Sequence, residues 1–284
     1  MRRGCAGASG GEGISKMIIG NKTFDTENGY YIMGILNVTP DSFSDGGKWD
    51  SIDAARAHAL QMAEEGASII DIGGESTRPG YEKISDEEEA ARVVPVIEAV
   101  KRDTGLPVSL DTYKSAVAEA GLAAGADMIN DIWGFKYDPA IAAVTARAGA
   151  ACCLMQNREK AEYDDLMRDL MDDLSESVRI AREAGIGKEK IMIDPGIGFG
   201  KTYEHNLEVM ADLQMLGEMG YPVLLGTSRK SMIGLTLDLP ADQRLEGTIA
   251  TTVIGMMKGC RFFRVHDVKE NMRALKMTEA ILNA

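Results

Sequence analysis

The sequence predicts an α/β protein: a single (β/α)8 TIM barrel with a short N-terminal hairpin. Eight short runs are continuously apolar rather than alternating, which is typical of parallel strands covered on both faces. Helical patterns separate these runs, and eight strand–helix units in about 250 residues match one closed barrel. An open doubly wound sheet is the alternative. The runs are Tyr31 to Val38, Ser68 to Gly73, Pro107 to Asp111, Met128 to Ile132, Ala151 to Met155, Ile191 to Asp194, Val223 to Gly226 and Phe262 to Val265.

The N-terminal part differs in composition from the rest of the chain. Residues 1–13 are rich in Arg, Gly, Ala and Ser and lack the apolar middle of a signal peptide. We predict a disordered tail over residues 1–16 and one barrel domain over residues 17–284, without an internal linker. A Gly-Asn turn signal between short apolar arms predicts a hairpin over Met17 to Phe24.

The helices have recognisable starts and ends. Ser85 followed three residues later by Glu88 is a capping-box signal, and the acidic run from Asp86 to Glu89 suits a solvated first turn. Pro95 conflicts with this helix and should kink or restart it. Glycine at a helix exit permits a left-handed backbone. Such glycines precede the predicted strands at Gly66, Gly125, Gly149, Gly220 and Gly259.

Composition excludes several classes of function. The chain has 284 residues and a net charge of −13, which argues against broad binding to nucleic acid or to a membrane surface. No apolar stretch approaches the roughly 20 residues that span a bilayer. Because the sequence also shows no export signal, we expect a cytoplasmic protein. The four cysteines have no paired CxxC spacing, which favours buried free thiols over a zinc site or disulfides.

Polar residues stand at the ends of seven of the eight predicted strands. The active site of a (β/α)8 barrel forms where the strands end and the following loops begin. A helix cap explains one such Asp or Ser, but the same pattern on seven strands is hard to assign to caps. The strand ends carry Asn37, Glu75 to Gly80, Asp111, Asn130 with Asp131, Asp194, Ser228 to Ser231, and Arg264 with His266.

These side chains form two chemical groups. Asp111, Asn130 and Asp194 suit a heterocycle, because a carboxylate accepts parallel N–H bonds and an amide both donates and accepts. The second group suits phosphate or diphosphate, which guanidinium groups bind in bidentate geometry. Its members are Arg78, Arg229, Lys230, Arg264 and His266. An oxygen ligand for Mg²⁺ is available from Asn37, Asp41 or Asp45.

One glycine-rich segment resembles a phosphate loop but fails the test. The run from Gly196 to Thr202 has three residues between Gly196 and Gly200, whereas the Walker motif needs four. We interpret these glycines as a close turn that places Phe199 over the site.

Five separated motifs together resemble the dihydropteroate synthase family. They occur in family order, and the resemblance runs from about Met17 to the C-terminus. It implies a folate-pathway transferase that joins 6-hydroxymethyl-7,8-dihydropterin diphosphate to p-aminobenzoate and releases diphosphate with Mg²⁺. An SN1-like course is implied, with diphosphate leaving before the amine attacks. The motifs are Asn37 to Gly47, Gly74 to Gly80, Asp194 to Lys201, Ser228 to Ser231 and Arg264 to His266.

The resemblance also implies a role for each matching residue. For the pterin these are Asp111, Asn130, Asp194 and Lys230, with Arg264 against the ring face. For diphosphate they are Asn37, Arg78, Arg264 and His266, with Asn37 as the metal ligand. For p-aminobenzoate they are Phe43, Thr77, Pro79, Phe199 and Ser231. Catalytic roles are implied for Asp45, on the closing first loop, and for Lys230, Arg264 and His266.

One position departs from the family pattern: Gln156 follows Met155 where many members have histidine, so a titrating role there is not expected. The resemblance further implies a homodimer through late helices and sulfonamide binding by p-aminobenzoate mimicry. Two other functions share the barrel. A pterin-binding methyltransferase domain would keep the pterin carboxylates but would not need the diphosphate cluster, and an inactive pterin-binding protein would lack turnover.

Overall fold

The computed structural model describes residues 14–38, 48–75 and 83–284, with the backbone alone at residues 48–51. Eight parallel strands form one nearly closed barrel. The first six of these strands lie side by side in chain order, and the eighth pairs with both the first and the seventh. A parallel bridge between Ile193 and Val223 joins the remaining edges. The strands are β3 Tyr31–Asn37, β4 Ala67–Gly73, β5 Val108–Asp111, β6 Met128–Asp131, β7 Ala151–Met155, β8 Ile191–Asp194, β9 Leu224–Leu225 and β10 Phe262–Val265. The barrel prediction is therefore confirmed, and the doubly wound alternative is wrong.

Helices surround the strands and pack their apolar faces on them. The first helix begins at Lys48. The helices in the described residues are α1 Lys48–Glu65, α2 Asp86–Thr104, α3 Ser115–Ala123, α4 Ile141–Arg147, α5 Leu166–Glu183, α6 Tyr203–Ala211, α7 Ser231–Leu237, α8 Leu245–Met257 and α9 Val268–Leu282. Each of these helices is too short or too polar to cross a bilayer.

The predicted hairpin is present as β1 Lys16–Ile19 and β2 Lys22–Asp25, paired antiparallel. Its apolar side chains Met17, Ile19 and Phe24 are buried against the inner residues of the barrel strands. Because those partners include Met33 and Phe262, near the starts of β3 and β10, the hairpin closes the N-terminal end of the barrel. The opposite, C-terminal end is thereby left for the functional side chains.

Most of the helix start and end signals in the sequence are confirmed. Ser85 accepts a hydrogen bond from the Glu88 amide, and the five predicted exit glycines all have positive φ. Pro95, however, does not restart the helix, since α2 runs continuously from Asp86 to Thr104. The acidic first turn is solvated only in part. Glu89 is buried and pairs with Lys114 at 2.8 Å, because that corner of the helix faces the barrel instead of solvent.

Candidate active site

The sequence-predicted side chains meet at the C-terminal end of the barrel. Asn37, Asp111 and Asp194 are the last residues of β3, β5 and β8. Asn130 lies in register with Asp111 on the neighbouring strand, and Arg264 is in the second half of β10. In a parallel barrel all strands end at the same mouth, so five side chains that are distant in sequence share one site.

Arg264 is the centre of this site. Its Nε donates to Asp71 Oδ2 at 2.6 Å, and its Nη2 donates to Asp111 Oδ2 at 2.7 Å. The guanidinium therefore reaches from β10 past β3 to carboxylates on β4 and β5. Asn130 Nδ2 lies 3.4 Å from both oxygens of the same carboxylate, Asp71. One cation and one buried carboxylate thus fix the orientation of Asp111 and Asn130.

Burial and neighbouring charges have opposite effects on the pKa values of Arg264 and Asp111. Burial disfavours its cation, but Asp71 and Asp111 outweigh that effect and raise its pKa above the usual value. Burial also raises the pKa of Asp111 to about 7; Arg264 opposes this shift and the charge of Asp71 adds to it. The second carboxylate oxygen of Asp111, Oδ1, is buried and accepts no hydrogen bond from the described part of the chain. An acceptor of this kind favours a ligand that brings an N–H group.

Asp194 and Lys230 both lie close to Gly226. A Cβ placed on Gly226 would be 3.8 Å from Asp194 Oδ2, from Lys230 Nζ and from Arg264 Cβ, so these three side chains surround it. Burial raises the pKa of Asp194, against the opposing effects of Lys230 and of the Gly196 N–H, which donates to Oδ1 at 2.7 Å. Burial lowers the pKa of Lys230 to about 8, although Asp194 opposes this shift. Burial thus opposes the charged form of both groups, and the charge of each group partly offsets that effect in the other.

His266 is oriented by Ser228. The His266 backbone N–H donates to Ser228 Oγ at 3.2 Å, and the same oxygen lies 2.9 Å from His266 Nδ1. In the tautomer in which the Ser228 hydroxyl donates to Nδ1, the ring proton is on Nε2. The imidazole then presents an N–H donor, the polarity that an anion requires.

Two further predicted residues flank this region. The ring centroid of Phe199 lies 4.7 Å from Lys230 Nζ, and Phe199 also packs on the buried cluster of Tyr113, Ile132 and Met155. Ser231 is exposed and begins α7 directly after Lys230. The close turn that the glycines predict is present, since Gly196, Gly198 and Gly200 all have positive φ.

Not every predicted residue joins this site. Arg229 has a left-handed backbone with φ 59° and is paired with Asp267 through Nε at 3.1 Å and Nη2 at 2.5 Å. Two of its five N–H donors are used within the protein, so this geometry adds no support for its place in the predicted anion group, which stays a prediction. The remaining predicted residues lie outside the described residues: Asp41, Phe43, Asp45, Thr77, Arg78 and Pro79.

Sequence reasoning missed Asp71 and a buried cluster around Glu75, in the segment between β4 and α2 that we call the second loop. Asp71 is fully buried, and an acid in the middle of an apolar strand was the signal that could have identified it. In the cluster, Glu75 accepts from Tyr113 Oη at 2.6 Å and from Lys114 Nζ at 2.8 Å. Glu75 Oε2 also accepts from the Ile84 N–H at 2.9 Å, which ties residue 75 to residue 84.

The donor set fits magnesium only together with a ligand. Asn37 Oδ1 and Asp111 Oδ2 both lie 3.8 Å from the point where a Cβ on Gly73 would stand, so two oxygens face one small space. Within residues 14–38, 48–75 and 83–284, no three His, Cys, Asp or Glu side chains are grouped so as to hold a metal ion. Mg²⁺ commonly takes few protein oxygens and completes its shell with phosphate and water. Asn37 suits that mode of binding.

Comparisons with known proteins agree with this geometry. The family described as pterin binding enzyme matches residues 33–266. A dihydropteroate synthase from Clostridium beijerinckii is 60% identical over 267 residues, which covers 94% of this chain and 99% of that protein. A solved dihydropteroate synthase from Clostridium difficile, in the presence of pteroic acid, has a TM-score of 0.89 at 50% identity and covers 92% of this chain and 100% of its own. One from Xanthomonas albilineans, with 4-aminobenzoic acid, has a TM-score of 0.90 at 42% identity and covers 95% and 99%. The chain belongs to the pterin-binding enzyme family and, within it, to the dihydropteroate synthases.

Proposed function

We propose that this protein condenses 6-hydroxymethyl-7,8-dihydropterin diphosphate with p-aminobenzoate to give 7,8-dihydropteroate and diphosphate, with Mg²⁺ as cofactor. The observation that carries the proposal is the buried Asp111 Oδ1, which lacks a donor from the described residues. Leaving a buried acceptor unsatisfied costs about 1–3 kcal/mol. A pterin N–H would remove that cost. Relatives solved with pteroic acid and with 4-aminobenzoic acid support the identity of both substrates.

In this proposal the pterin ring lies among the carboxyl and amide groups of the barrel mouth. Asp194 and Asp111 accept N–H groups from the ring edges, and Asn130 both donates and accepts. Lys230 contacts the ring from the Asp194 side, and Arg264 lies against its face. Asp71 holds Arg264 and Asn130 in place by the 2.6 Å and 3.4 Å contacts described above.

The reaction breaks one bond and forms another. The methylene C–O bond breaks and its electron pair leaves with diphosphate, so positive charge spreads from the methylene into the ring. The amine of p-aminobenzoate then donates its lone pair to form the C–N bond and afterwards loses a proton. Preorganised carboxylates stabilise such a cation because they need not reorient during the reaction. The negatively charged carboxylates of Asp71, Asp111 and Asp194 lie around the proposed ring position.

The leaving group requires the opposite polarity. Arg264 and the Nε2–H of His266 supply donors for diphosphate, and Arg78 adds a guanidinium from the second loop. Magnesium bound with the diphosphate would neutralise charge that develops on the leaving oxygen. Asn37 would hold the ion. For p-aminobenzoate the proposed contacts are Phe199 and Ser231 together with Phe43, Thr77 and Pro79, and Asp45 assists from the first loop.

Product formation tests this function. The protein is incubated with the pterin diphosphate and labelled p-aminobenzoate, with Mg²⁺ or with a chelator. We expect labelled dihydropteroate and an equal amount of diphosphate, and we expect the chelator to abolish both. Turnover that survives chelation would remove magnesium from the proposal. A folded protein that binds pterin but forms no product would favour an inactive binding protein, and methyl transfer without diphosphate would favour the methyltransferase alternative.

We also propose that the protein is a homodimer that works in the cytoplasm. Ten large apolar side chains are exposed in the described residues, and seven of them lie on α7, α8 and α9. Such a concentration of exposed apolar residues is typical of an interaction surface. The seven are Leu235, Leu237, Ile254, Met257, Met277, Ile281 and Leu282. Three cysteines are buried free thiols, Cys152, Cys153 and Cys260, which suits a reducing compartment.

Sedimentation velocity tests the dimer. We expect the wild-type protein to sediment at twice the mass of its chain and Met257→Lys to shift it toward the monomer, because a lysine at the interface would be desolvated. Leu207→Lys is the matched control, since Leu207 is an exposed apolar residue on α6. A monomeric wild-type protein would contradict the proposal.

A further inference from the structure

The glycine-rich turn from Gly196 to Gly200 packs directly on the backbone that follows β7. A Cβ on Gly196 would lie 2.0 Å from the Gln156 carbonyl oxygen, and one on Gly200 would lie 2.4 Å from the Arg158 carbonyl oxygen. Neither position has room for a side chain, and both have positive φ. The turn is therefore packed closely against the backbone of residues 156–158.

Lys201 holds this turn from within. Its Nζ donates to the Gly196 carbonyl at 3.1 Å, to the Phe199 carbonyl at 3.2 Å, and to Gln156 Oε1. An ammonium group has three N–H donors, so the three acceptors use all of them. Both ends of the turn are thus tied to a single side chain, which has no donor left for a substrate.

Gln156 orients this ammonium. Its side chain is fully buried, and its Nε2 donates to Asp173 Oδ2 at 2.9 Å and to Tyr163 Oη at 3.2 Å. Asp173 is fixed in turn by Arg158 Nε at 2.7 Å. A carboxylate on one side of the amide attracts its NH₂ group, so the amide oxygen faces Lys201. A chain of hydrogen bonds therefore runs from α5 to the turn.

The turn carries two contacts to the proposed substrate site. The Ile197 carbonyl accepts a hydrogen bond from Lys230 Nζ, and the Phe199 ring lies 4.7 Å from the same nitrogen. A shift of the turn would move Phe199 and would change the orientation of Lys230. The groups assigned to p-aminobenzoate and to the pterin thus depend on the same five-residue segment.

We propose that Lys201, oriented by Gln156, is a positioning residue that holds Phe199 where it frames p-aminobenzoate. The inference rests on the proposed function, since it takes the p-aminobenzoate contact of Phe199 from there. It goes beyond that function by assigning a role to a lysine that does not touch either substrate. It also explains why a non-titrating glutamine serves at position 156, since the role requires only an oxygen acceptor for the ammonium.

A double-mutant cycle tests the proposal. The KM for p-aminobenzoate and kcat are measured for the wild type, Lys201→Met, Phe199→Ala and the double variant. We expect each single change to raise the KM for p-aminobenzoate about tenfold, because a misplaced or missing ring loses its contact with that substrate. In the double variant KM should stay near the larger single effect, since Lys201 acts through Phe199. Independent roles would instead multiply to about 100-fold.

Controls separate positioning from general stability. Lys101→Met removes a lysine that pairs with Asp127, beside the N-terminal hairpin, and should leave KM unchanged. If Lys201→Met does not fold, Lys201→Gln keeps two N–H donors and should give an intermediate KM. A multiplicative double variant, an unchanged KM in folded Lys201→Met, or a fall in kcat without a rise in KM would each overturn the inference.

A binding arm keeps this test independent of turnover. Calorimetric titration with p-aminobenzoate, in the presence of inorganic diphosphate and Mg²⁺, should show the same order of affinities among the four proteins. If the four proteins show this order of affinities for p-aminobenzoate but the wild type forms no product, the proposed function fails and the positioning role stands. If the affinities of the wild type and Lys201→Met are equal, the positioning role fails.

Discussion

Asp194→Asn is expected to abolish turnover while leaving the barrel folded. The proposed role of Asp194 requires a carboxylate that accepts N–H groups, and an amide would set its own NH₂ against the ligand donors. Hydrogen bonds to charged groups contribute about 1.5–3 kcal/mol each, so pterin affinity should fall about 100-fold or more. Calorimetric titration with the pterin diphosphate measures this loss directly.

The same variant should be at least as stable as the wild type at pH 7. Burial raises the folded-state pKa of Asp194 above its unfolded value of 3.8. Such a carboxyl contributes stability that is present below the unfolded pKa and is lost as pH rises through the folded one. At neutral pH its charge therefore opposes folding, and asparagine removes that charge. Urea unfolding at pH 7 measures the difference.

Asp131→Asn is the matched control for Asp194→Asn. Asp131 is likewise a buried carboxyl at a strand end, and burial raises its pKa to about 7. Its oxygens accept from the Trp133 and Phe135 amides at 2.7 Å and 2.9 Å, so it serves the backbone rather than the proposed pocket. Pterin affinity should remain. Equal losses in the two variants would contradict the role given to Asp194.

Arg264→Met is expected to lose activity and to lose more stability than any of the other variants described above. It leaves the carboxylates of Asp71 and Asp111 buried without their cation. Removing one partner of a buried ion pair typically costs about 3–5 kcal/mol, because the remaining charge stays desolvated. The free energy of unfolding, measured in urea at pH 7, should fall by that amount. Lowering the pH should restore part of the loss, because burial raises the pKa of Asp111 to about 7 and this carboxyl becomes neutral as it binds a proton.

Two variants check the cause of that loss. Arg264→Lys keeps the charge but reaches only one of the two carboxylates, so its stability should be intermediate. Asp71→Asn combined with Arg264→Met should recover part of the stability, since one stranded charge is gone. Additive effects in the double variant would show that the 2.6 Å contact between these residues does not couple them.

Much of the fold could be predicted because its signals are local. Continuously apolar runs marked all eight strands, and the glycines at the helix exits adopt the left-handed backbone expected of them. The site could be located as well, since parallel strands bring their C-terminal ends together whatever their sequence separation. This is why Asn37, Asp111 and Asp194, each the last residue of its strand, lie at the same end of the barrel.

What could not be predicted depends on direction and on long-range partners. Arg229 and Lys230 are adjacent in sequence, yet the left-handed backbone at Arg229 directs its side chain to Asp267, and a non-glycine residue gives no signal of that conformation. Glu89 looked solvated because its buried partner Lys114 is distant in sequence. Lys201 and Gln156 are 45 residues apart, so neither one alone indicated the contact.

A crystal structure with bound 7,8-dihydropteroate would test the central claim most directly. We expect the pterin ring to lie in the barrel mouth, with its N–H groups on Asp194 and on Asp111 Oδ1 and with Arg264 against its face. The aminobenzoyl group should lie beside Phe199. A ring bound elsewhere, with Asp111 Oδ1 still lacking a donor, would contradict the account.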